Sequence, residues 1–364
     1  MKKTKYIFLV AALMLMIQSC VHQWPEDPVD PTEVGVSIWL HSADTMTLYP
    51  NGNPWVDTRK GTFQPAEEYD VDTAKYVRRY IVEINDIQSP DPEPAIRKVF
   101  TRSCGDTSAI NLEISLHAVN YSVLVWQDFV DKATAADRYY RTDTLTRIHI
   151  IDMPDYIGST DFKDASYCSA ILPLSEHNGE YFSNEDIHLT LKRPLAKIVL
   201  VASDIDKFYY RIFQHAPSVA EATETAQAEQ QALLATISNT VSISGYFPSG
   251  FNVMSGKPND ADLGYSFTAV PFMVGTYAVL GFDYVFIGEN QTSVTVNMNI
   301  LGKNGENINS VSDLVVPIAR NEVTVVIDEF LTKRYTPGIG IDPEFDGEFN
   351  IQFIRRRMNQ QKNN

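Results

Sequence analysis

The sequence predicts an all-β protein of two antiparallel β-sandwich domains, the second carrying one short connecting helix. Apolar and polar residues alternate with period two through most of the body, which puts one face of each strand on a core and the other in water. Turn-forming dipeptides separate these runs, and many short strands joined by turns read as sandwiches. Only one stretch has a helical composition.

The first strand begins at Val34, where Val34, Val36, Ile38 and Leu40 alternate with Gly35, Ser37 and Trp39. Tyr80, Val82 and Ile84 then alternate with Arg79 and Glu83. Leu112, Ile114 and Leu116 alternate with Glu113 and Ser115, and Tyr121, Val123 and Val125 follow with the same spacing. The polar stretch from Ser175 to Asp186 separates this series from a second one that starts at Ile187. One sandwich is therefore expected over residues 34–182 and another over 187–334. Within the second, Val219 to Ile237 is rich in Ala, Glu and Gln and free of Gly and Pro, so it reads as a connecting helix. Ser218 and Glu221 have capping-box spacing, and Leu233, Leu234 and Ile237 form a docking stripe. Val294, Val296, Met298 and Ile300 alternate with Ser293, Thr295, Asn297 and Asn299. Asn304-Gly305 then supplies a hairpin turn, since both residues tolerate positive φ. Val323, Val325 and Ile327 form a later strand, and Phe349, Ile351 and Phe353 keep period two in the terminal segment 335–364. Arg355, Arg356 and Arg357 near the chain end read as a solvated basic tail.

Residues 1–19 read as an export signal: Lys2, Lys3 and Lys5 precede an apolar run from Tyr6 to Ile17, and small Ser19 stands before Cys20. The run is shorter than the roughly 20 apolar residues of a membrane-spanning helix. Ile17-Gln18-Ser19-Cys20 resembles a bacterial lipobox, with Gln18 where a small residue is usual. Cys20 is thus expected to carry acyl chains after cleavage. One acyl chain binds a membrane only marginally, and several hold it firmly. Residues 20–33, with Pro25, Pro28 and Pro31 among Glu26, Asp27 and Asp30, read as a semi-rigid wet spacer. The partner expected at this end is a lipid membrane, and the location is the outer membrane, facing the cell surface.

Thirty Lys and Arg stand against 46 Asp and Glu, a formal net charge of −16. It becomes −19 once Lys2, Lys3 and Lys5, the only charges of the leader, are removed. This balance argues against nucleic acid as a partner, because phosphate backbones need clustered cations. With Cys20 acylated, Cys104 and Cys168 remain. Export permits a disulfide between them, and two unpaired, half-buried thiols are the alternative.

The sequence has no H-E-x-x-H, G-x-S-x-G or C-x-x-C motif and no phosphate-cradling Gly-rich loop. The seven histidines are scattered singly. No catalytic residue, metal ligand or cofactor site is therefore assigned, and the chain is expected not to be an enzyme. Asp260 and Asp262 resemble half a calcium loop without its closing Glu, and Asp152 with Asp155 around Pro154 has the same standing; each also reads as a polar turn. Trp39, Trp55 and Trp126 are candidate stacking platforms for sugars. Trp39 and Trp126 lie on faces opposite the aliphatic stripes, which permits exposure; packing under loops or against the other sandwich is the competing reading.

Several runs together resemble one family: SCVHQWPEDP at the tether, YSVLVWQDFVD and DYIGSTDFKDA in the centre, then RPLAKIVLVASD, SGYFPSGFNVMSGKPND, LGFDYVFI, VPIARNEVTVV and GIGIDPEFDGEFNI. They are similar to FimB-type anchor or minor subunits of type V fimbriae, lipoproteins of the fimbrillin superfamily, and to that group's uncharacterised members. The resemblance covers nearly the whole mature chain and implies two transthyretin-like sandwiches. It implies an acylated subunit that holds a fimbrial stalk or its accessory subunits on the outer membrane through β-strand addition. Polymerising relatives lose a strand to an arginine-directed protease. Cutting at Arg59-Lys60 would free the lipid here, so Arg59 reads as a loop residue. The alternative function is a surface glycan-binding lipoprotein using Trp39, Trp55 or Trp126.

Overall fold

The computed structural model describes residues 33–48, 55–57, 60–65, 74–89, 93–106, 108–152, 154–180, 183–217 and 223–334. The leader, Cys20, the tether, Arg59, the Ser218–Glu221 pair and the segment 335–364 lie outside the described residues. In chain order the strands are β1 (Glu33–His41), β2 (Thr47–Leu48), β3 (Trp55–Asp57), β4 (Gly61–Phe63), β5 (Tyr76–Asp86), β6 (Ile96–Ser103), β7 (Ile110–His117), β8 (Asn120–Asp131), β9 (Tyr140–Arg141), β10 (Ile148–Ile150) and β11 (Ser166–Pro173). After β12 (Asn184–Thr190) and β13 (Leu195–Ala202) come the helices α1 (Ile205–Phe213) and α2 (Thr223–Leu234). The rest is β14 (Ser238–Asn252), β15 (Lys257–Ala269), β16 (Phe272–Val274), β17 (Tyr277–Phe286), β18 (Thr292–Leu301), β19 (Asn307–Ile318) and β20 (Glu322–Asp328). The protein is all-β.

The strands form four main sheets, ordered β12-β1-β7, β11-β8-β5-β6, β16-β17-β13-β20-β2 and β19-β18-β14-β10-β9, with β15 added on β14. A smaller core lies between the first two sheets. It takes Val34, Val36, Ile38 and Leu40 from β1, Tyr80, Val82 and Ile84 from β5, and Val123 and Val125 from β8. The other face of the second sheet is apolar too: Ile81, Leu124 and Trp126 belong to a larger core that runs on through the third and fourth sheets. A sheet buried on both sides has no wet face, so β8 reads as a continuous apolar run rather than an alternation.

That arrangement corrects one expectation. Trp126 is fully buried, with its ring edge-on to Tyr140 at a centroid distance of 5.4 Å and close to Phe251 and Phe286. It is not a sugar platform, because the face opposite the aliphatic stripe is covered by the larger core. The disulfide alternative is corrected as well: Cys104 and Cys168 are both thiols. Cys168 faces the smaller core beside Val125, whereas Cys104 belongs to the larger core and its thiol donates to the Tyr76 carbonyl at 3.2 Å. The double-faced sheet stands between them.

Strand pairing also crosses the chain midpoint. β12 runs parallel to β1, with Trp39 opposite His188, and β10 pairs with β14. Gly35 permits the close approach of β12, since a Cβ there would stand 2.4 Å from Asn184 Oδ1. Pairing is antiparallel except, among the described residues, for β1–β12, β13–β20 and β2–β20.

The connection between β13 and β14 carries two helices rather than the single one expected. The helix read from Val219 to Ile237 corresponds to α2, and Leu233, Leu234 and Ile237 are buried as a stripe. The added helix, α1, buries Ile205, Phe208 and Tyr209 and ends at Gln214 with φ 59°. Its preceding residue, Asp204, points its carboxylate away from the helix to accept from Thr332 Oγ1 and the Leu331 and Thr332 amides. Asn304-Gly305 lies in the turn between β18 and β19, with Gly305 at φ 80°. No helix of the described residues is long and apolar enough to cross a membrane.

Candidate functional site

The outer face of β1 presents Gly35, Ser37, Trp39 and His41, the residues that the aliphatic stripe turns away from the core. Parallel register sets exposed His188 beside Trp39, and their rings stack at 5.9 Å with planes 8° apart. His188 also stacks on His41 at 5.4 Å, and their ring nitrogens Nδ1 and Nε2 are 3.1 Å apart. Sequence reading placed Trp39 on this face but missed the histidine pair. The two residues are 147 positions apart and only the parallel pairing joins them. Beside the ladder is a depression of about 400 Å³, lined by Tyr167, His188, Thr190, Lys192 and Glu289 among others. A half-buried ring plane with a polar rim suits the C–H-rich face of a sugar. Trp55 sits in β3 and its side chain lies outside the described residues.

The carboxylates singled out in the sequence meet elsewhere. Asp260 and Asp262 on β15 face His149 of β10, with Nε2 at 4.0 Å from Asp260 and 3.3 Å from Asp262. Asp152 joins them 3.5 Å from Nδ1. Asp155 stays outside this group; its amide donates to the Asp152 carbonyl in the turn that follows β10. The Asp262 carboxyl is held below its ordinary value first by the Ser249 hydroxyl and then by that of Tyr265. Sequence spacing showed the two acid pairs, and the histidine that links them came only with the fold.

A third feature is backbone. β15 is thirteen residues long and pairs with β14 along one edge, with no strand on its other edge among the described residues. Leu263 on β15 and its cross-strand partner Tyr246 on β14 are 76% and 80% exposed. An unpaired edge of that length with apolar side chains beside it is a template for another strand.

A model of one family of unknown function, DUF6562, matches residues 41–363. The chain belongs to DUF6562. No curated protein matches this DUF6562 chain. Among solved structures it is similar to the fimbrial anchor protein Mfa2 from Porphyromonas gingivalis, at 9% identity and a TM-score of 0.41, over 80% of this chain and 90% of that one. A candidate polysaccharide binding protein (DUF1812) from Bacteroides thetaiotaomicron is similar at 10% identity and 0.43, over 83% and 93%. A candidate cell adhesion protein from Bacteroides eggerthii gives 10% identity and 0.38, over 87% and 95%. Likeness at this level assigns no activity to the DUF6562 chain.

Proposed function

We propose that this protein is a non-enzymatic lipoprotein of the outer membrane, facing the cell surface, that anchors a fimbria or serves it as an accessory subunit. Cys20 carries the lipid, and neighbouring fimbrial subunits join by β-strand addition. The observation that carries the reading is a lipobox-like Cys20 whose Pro- and acid-rich spacer leads directly into β1 of an all-β body. The unpaired edge of β15 supports strand addition, because main-chain hydrogen bonds supply affinity there and alternate side chains supply register. The division into sandwiches over 34–182 and 187–334 belongs to the same proposal. The smaller core, drawn from Val34 to Leu191, supports the first sandwich, with β12 crossing near the boundary to complete its sheet, whereas the larger core takes residues from both halves.

The test compares wild type with Cys20→Ala in the native cell by surface proteolysis and crosslinked pull-down from outer membranes. Wild type is expected to be acylated, protease-accessible and crosslinked to a fimbrillin ladder, which the variant sheds into the medium. Full protease protection of wild type, or a pull-down with no fimbrial subunit, would remove the anchor reading.

A second reading, surface glycan binding, rests on the Trp39–His188 stack and now on Trp39 without Trp126. It predicts retardation in affinity gels against polysaccharides that is lost in Trp39→Ala. Equal mobility of the two proteins across a broad panel sinks it.

A further inference from the structure

The group around His149 is built across three strands in register. His149 on β10 is opposite Gly250 on β14, and Gly250 is opposite Asp260 on β15. With no side chain between them, the imidazole reaches over the middle strand to the carboxylates. A Cβ at position 250 would stand 2.6 Å from that of Asp260, so the gap belongs to this packing.

The ring is oriented by the backbone. His149 Nδ1 is 2.7 Å from the Ile150 carbonyl, which can only accept, so Nδ1 carries the proton and donates. Nε2 faces the carboxylate oxygens of Asp262 and Asp260 at 3.3 Å and 4.0 Å, an arrangement that attracts a cation. One ligand atom each from His149, Asp152 and Asp262 falls within 4.8 Å of the others. Metal–ligand bonds of about 2.0 Å at tetrahedral angles separate neighbouring ligands by about 3.3 Å, and Nε2 is 3.3 Å from Asp262 Oδ2.

The surrounding charges leave room for a cation. Arg141 pairs with Asp152 at 2.8 Å, and Arg147 reaches Asp260 at 3.8 Å. Two guanidiniums against three carboxylates leave about one unit of negative charge. A buried hydroxyl orients one of the carboxylates. Ser249, the bulged residue between Pro248 and Gly250, is fully buried, and its hydroxyl holds the Asp262 carboxylate in place. That hydroxyl lies against the Asp262 carboxyl and the Tyr265 hydroxyl, inside the same group.

We propose that His149, Asp152 and Asp262 bind a divalent cation of the zinc class where β10 crosses the β14–β15 hairpin. An imidazole with carboxylates selects zinc-like ions over calcium and magnesium, which take six or more oxygens. The ion clips the Asp152 turn to β15, the strand with the open edge, and this assignment stands without the fimbrial reading.

The test is calorimetric titration of the detergent-solubilised full chain with zinc chloride, and with calcium chloride for comparison. Wild type is expected to bind one zinc ion tightly and calcium far more weakly. His149→Ala and the isosteric Asp262→Asn should each lose affinity by about tenfold or more. Asp155→Asn, in the same turn but outside the group, should keep wild-type affinity. His188→Asn should keep it too, which separates this site from the stacked histidine pair. X-ray absorption of the zinc-loaded chain should show an imidazole nitrogen that disappears in His149→Ala. Absence of zinc binding by wild type overturns the proposal. Unchanged zinc affinity in both His149→Ala and Asp262→Asn, with unaltered circular dichroism, overturns it equally.

Discussion

Lys163→Met tests how the larger core tolerates charge. Lys163 is almost wholly buried, and its Nζ donates to Asp283 Oδ1 at 2.5 Å and to the Tyr156 hydroxyl at 2.8 Å. Asp283 also accepts from the Tyr156 hydroxyl at 2.5 Å and from the Tyr284 amide at 2.9 Å. Burial holds the Lys163 ammonium below its ordinary pKa, with the Asp283 carboxylate opposing that effect. Methionine nearly matches the stem in volume, so the substitution removes the charge and leaves little cavity. Breaking a buried pair costs about 3–5 kcal/mol, because the partner is left as an uncompensated ion. Asp283 keeps two donors, which sets the expected loss near the low end, about 3 kcal/mol. Adding Asp283→Asn removes the stranded charge, its one amide oxygen can still accept from the Tyr284 amide, and its NH2 can donate to the Tyr156 hydroxyl. The double variant should therefore recover about 1–2 kcal/mol relative to Lys163→Met, within the range of couplings between contacting residues. Urea unfolding with unchanged slope reads both quantities. If the double variant loses the full sum of the two single losses, the pair is not coupled and the reasoning fails.

Trp126→Ala should destabilise the protein by about 3–5 kcal/mol, since it empties a packed core position, whereas Trp39→Ala should cost less than about 1 kcal/mol. Thermal melting decides between them, and equal melting of the two variants would contradict the burial of Trp126. Cys168, pushed up to about 12 by burial, holds roughly one part in ten thousand as thiolate at pH 8, so it should resist alkylation in the folded chain. Mass spectrometry should show Cys104 and Cys168 labelled by iodoacetamide only in urea and without prior reduction; a requirement for reductant would reveal a disulfide. Burial also pushes the phenols of Tyr140, Tyr156 and Tyr284 well above their ordinary value. Their folded pKa is raised, so their contribution is complete below pH 10 and is lost as pH climbs toward the folded value. At pH 11 each unfolded phenol gains about 1.4 kcal/mol by ionising, roughly 4 kcal/mol for the three. Beyond the early rise from surface phenols, a further rise in tyrosinate absorbance should therefore coincide with loss of circular dichroism, and ionisation of every tyrosine with the fold intact would show these three phenols to be accessible.

The strands were legible wherever one face meets water. In β1 the alternating residues fall in the smaller core as expected, and in β18 Val294, Val296, Met298 and Ile300 fall in the larger one. The reading failed at β8 because attention to Tyr121, Val123 and Val125 passed over Leu124 and Trp126 between them. A run of apolar residues on both parities signals burial of both faces, and that signal was present. Helix α1 carried a signal too, since Ile205, Phe208 and Tyr209 have the i, i+3, i+4 spacing of an amphipathic helix, but its short aromatic, β-branched sequence IDKFYYRIF has modest helix propensity and is held by packing. At the His149 group, Asp260 and Asp262 share a face of β15 by their spacing of two, which sequence can show. The histidine reaches them over Gly250, and that depends on a three-strand register no local pattern encodes.

The position of β1 bears on the anchor reading. In that reading the proposed tether enters the fold at Glu33, and β1 is the central strand of its sheet, antiparallel to β7 and parallel to β12. A pull toward the membrane acts along β1 and loads the hydrogen bonds on both of its edges together. The same pull on an edge strand in a peeling direction would load them one at a time. Val34, Val36, Ile38 and Leu40 are at most 2% exposed, so drawing β1 out also exposes four core side chains. At about 1.5–3 kcal/mol for each buried side chain, those four resist by roughly 6–12 kcal/mol beyond the hydrogen bonds. β12, which comes from the far side of the proposed domain boundary, ties this loaded strand to the second half of the chain. A lipid at Cys20 and a partner on β15 would then lie at opposite ends of one continuous load path, running through β1, β12 and the larger core.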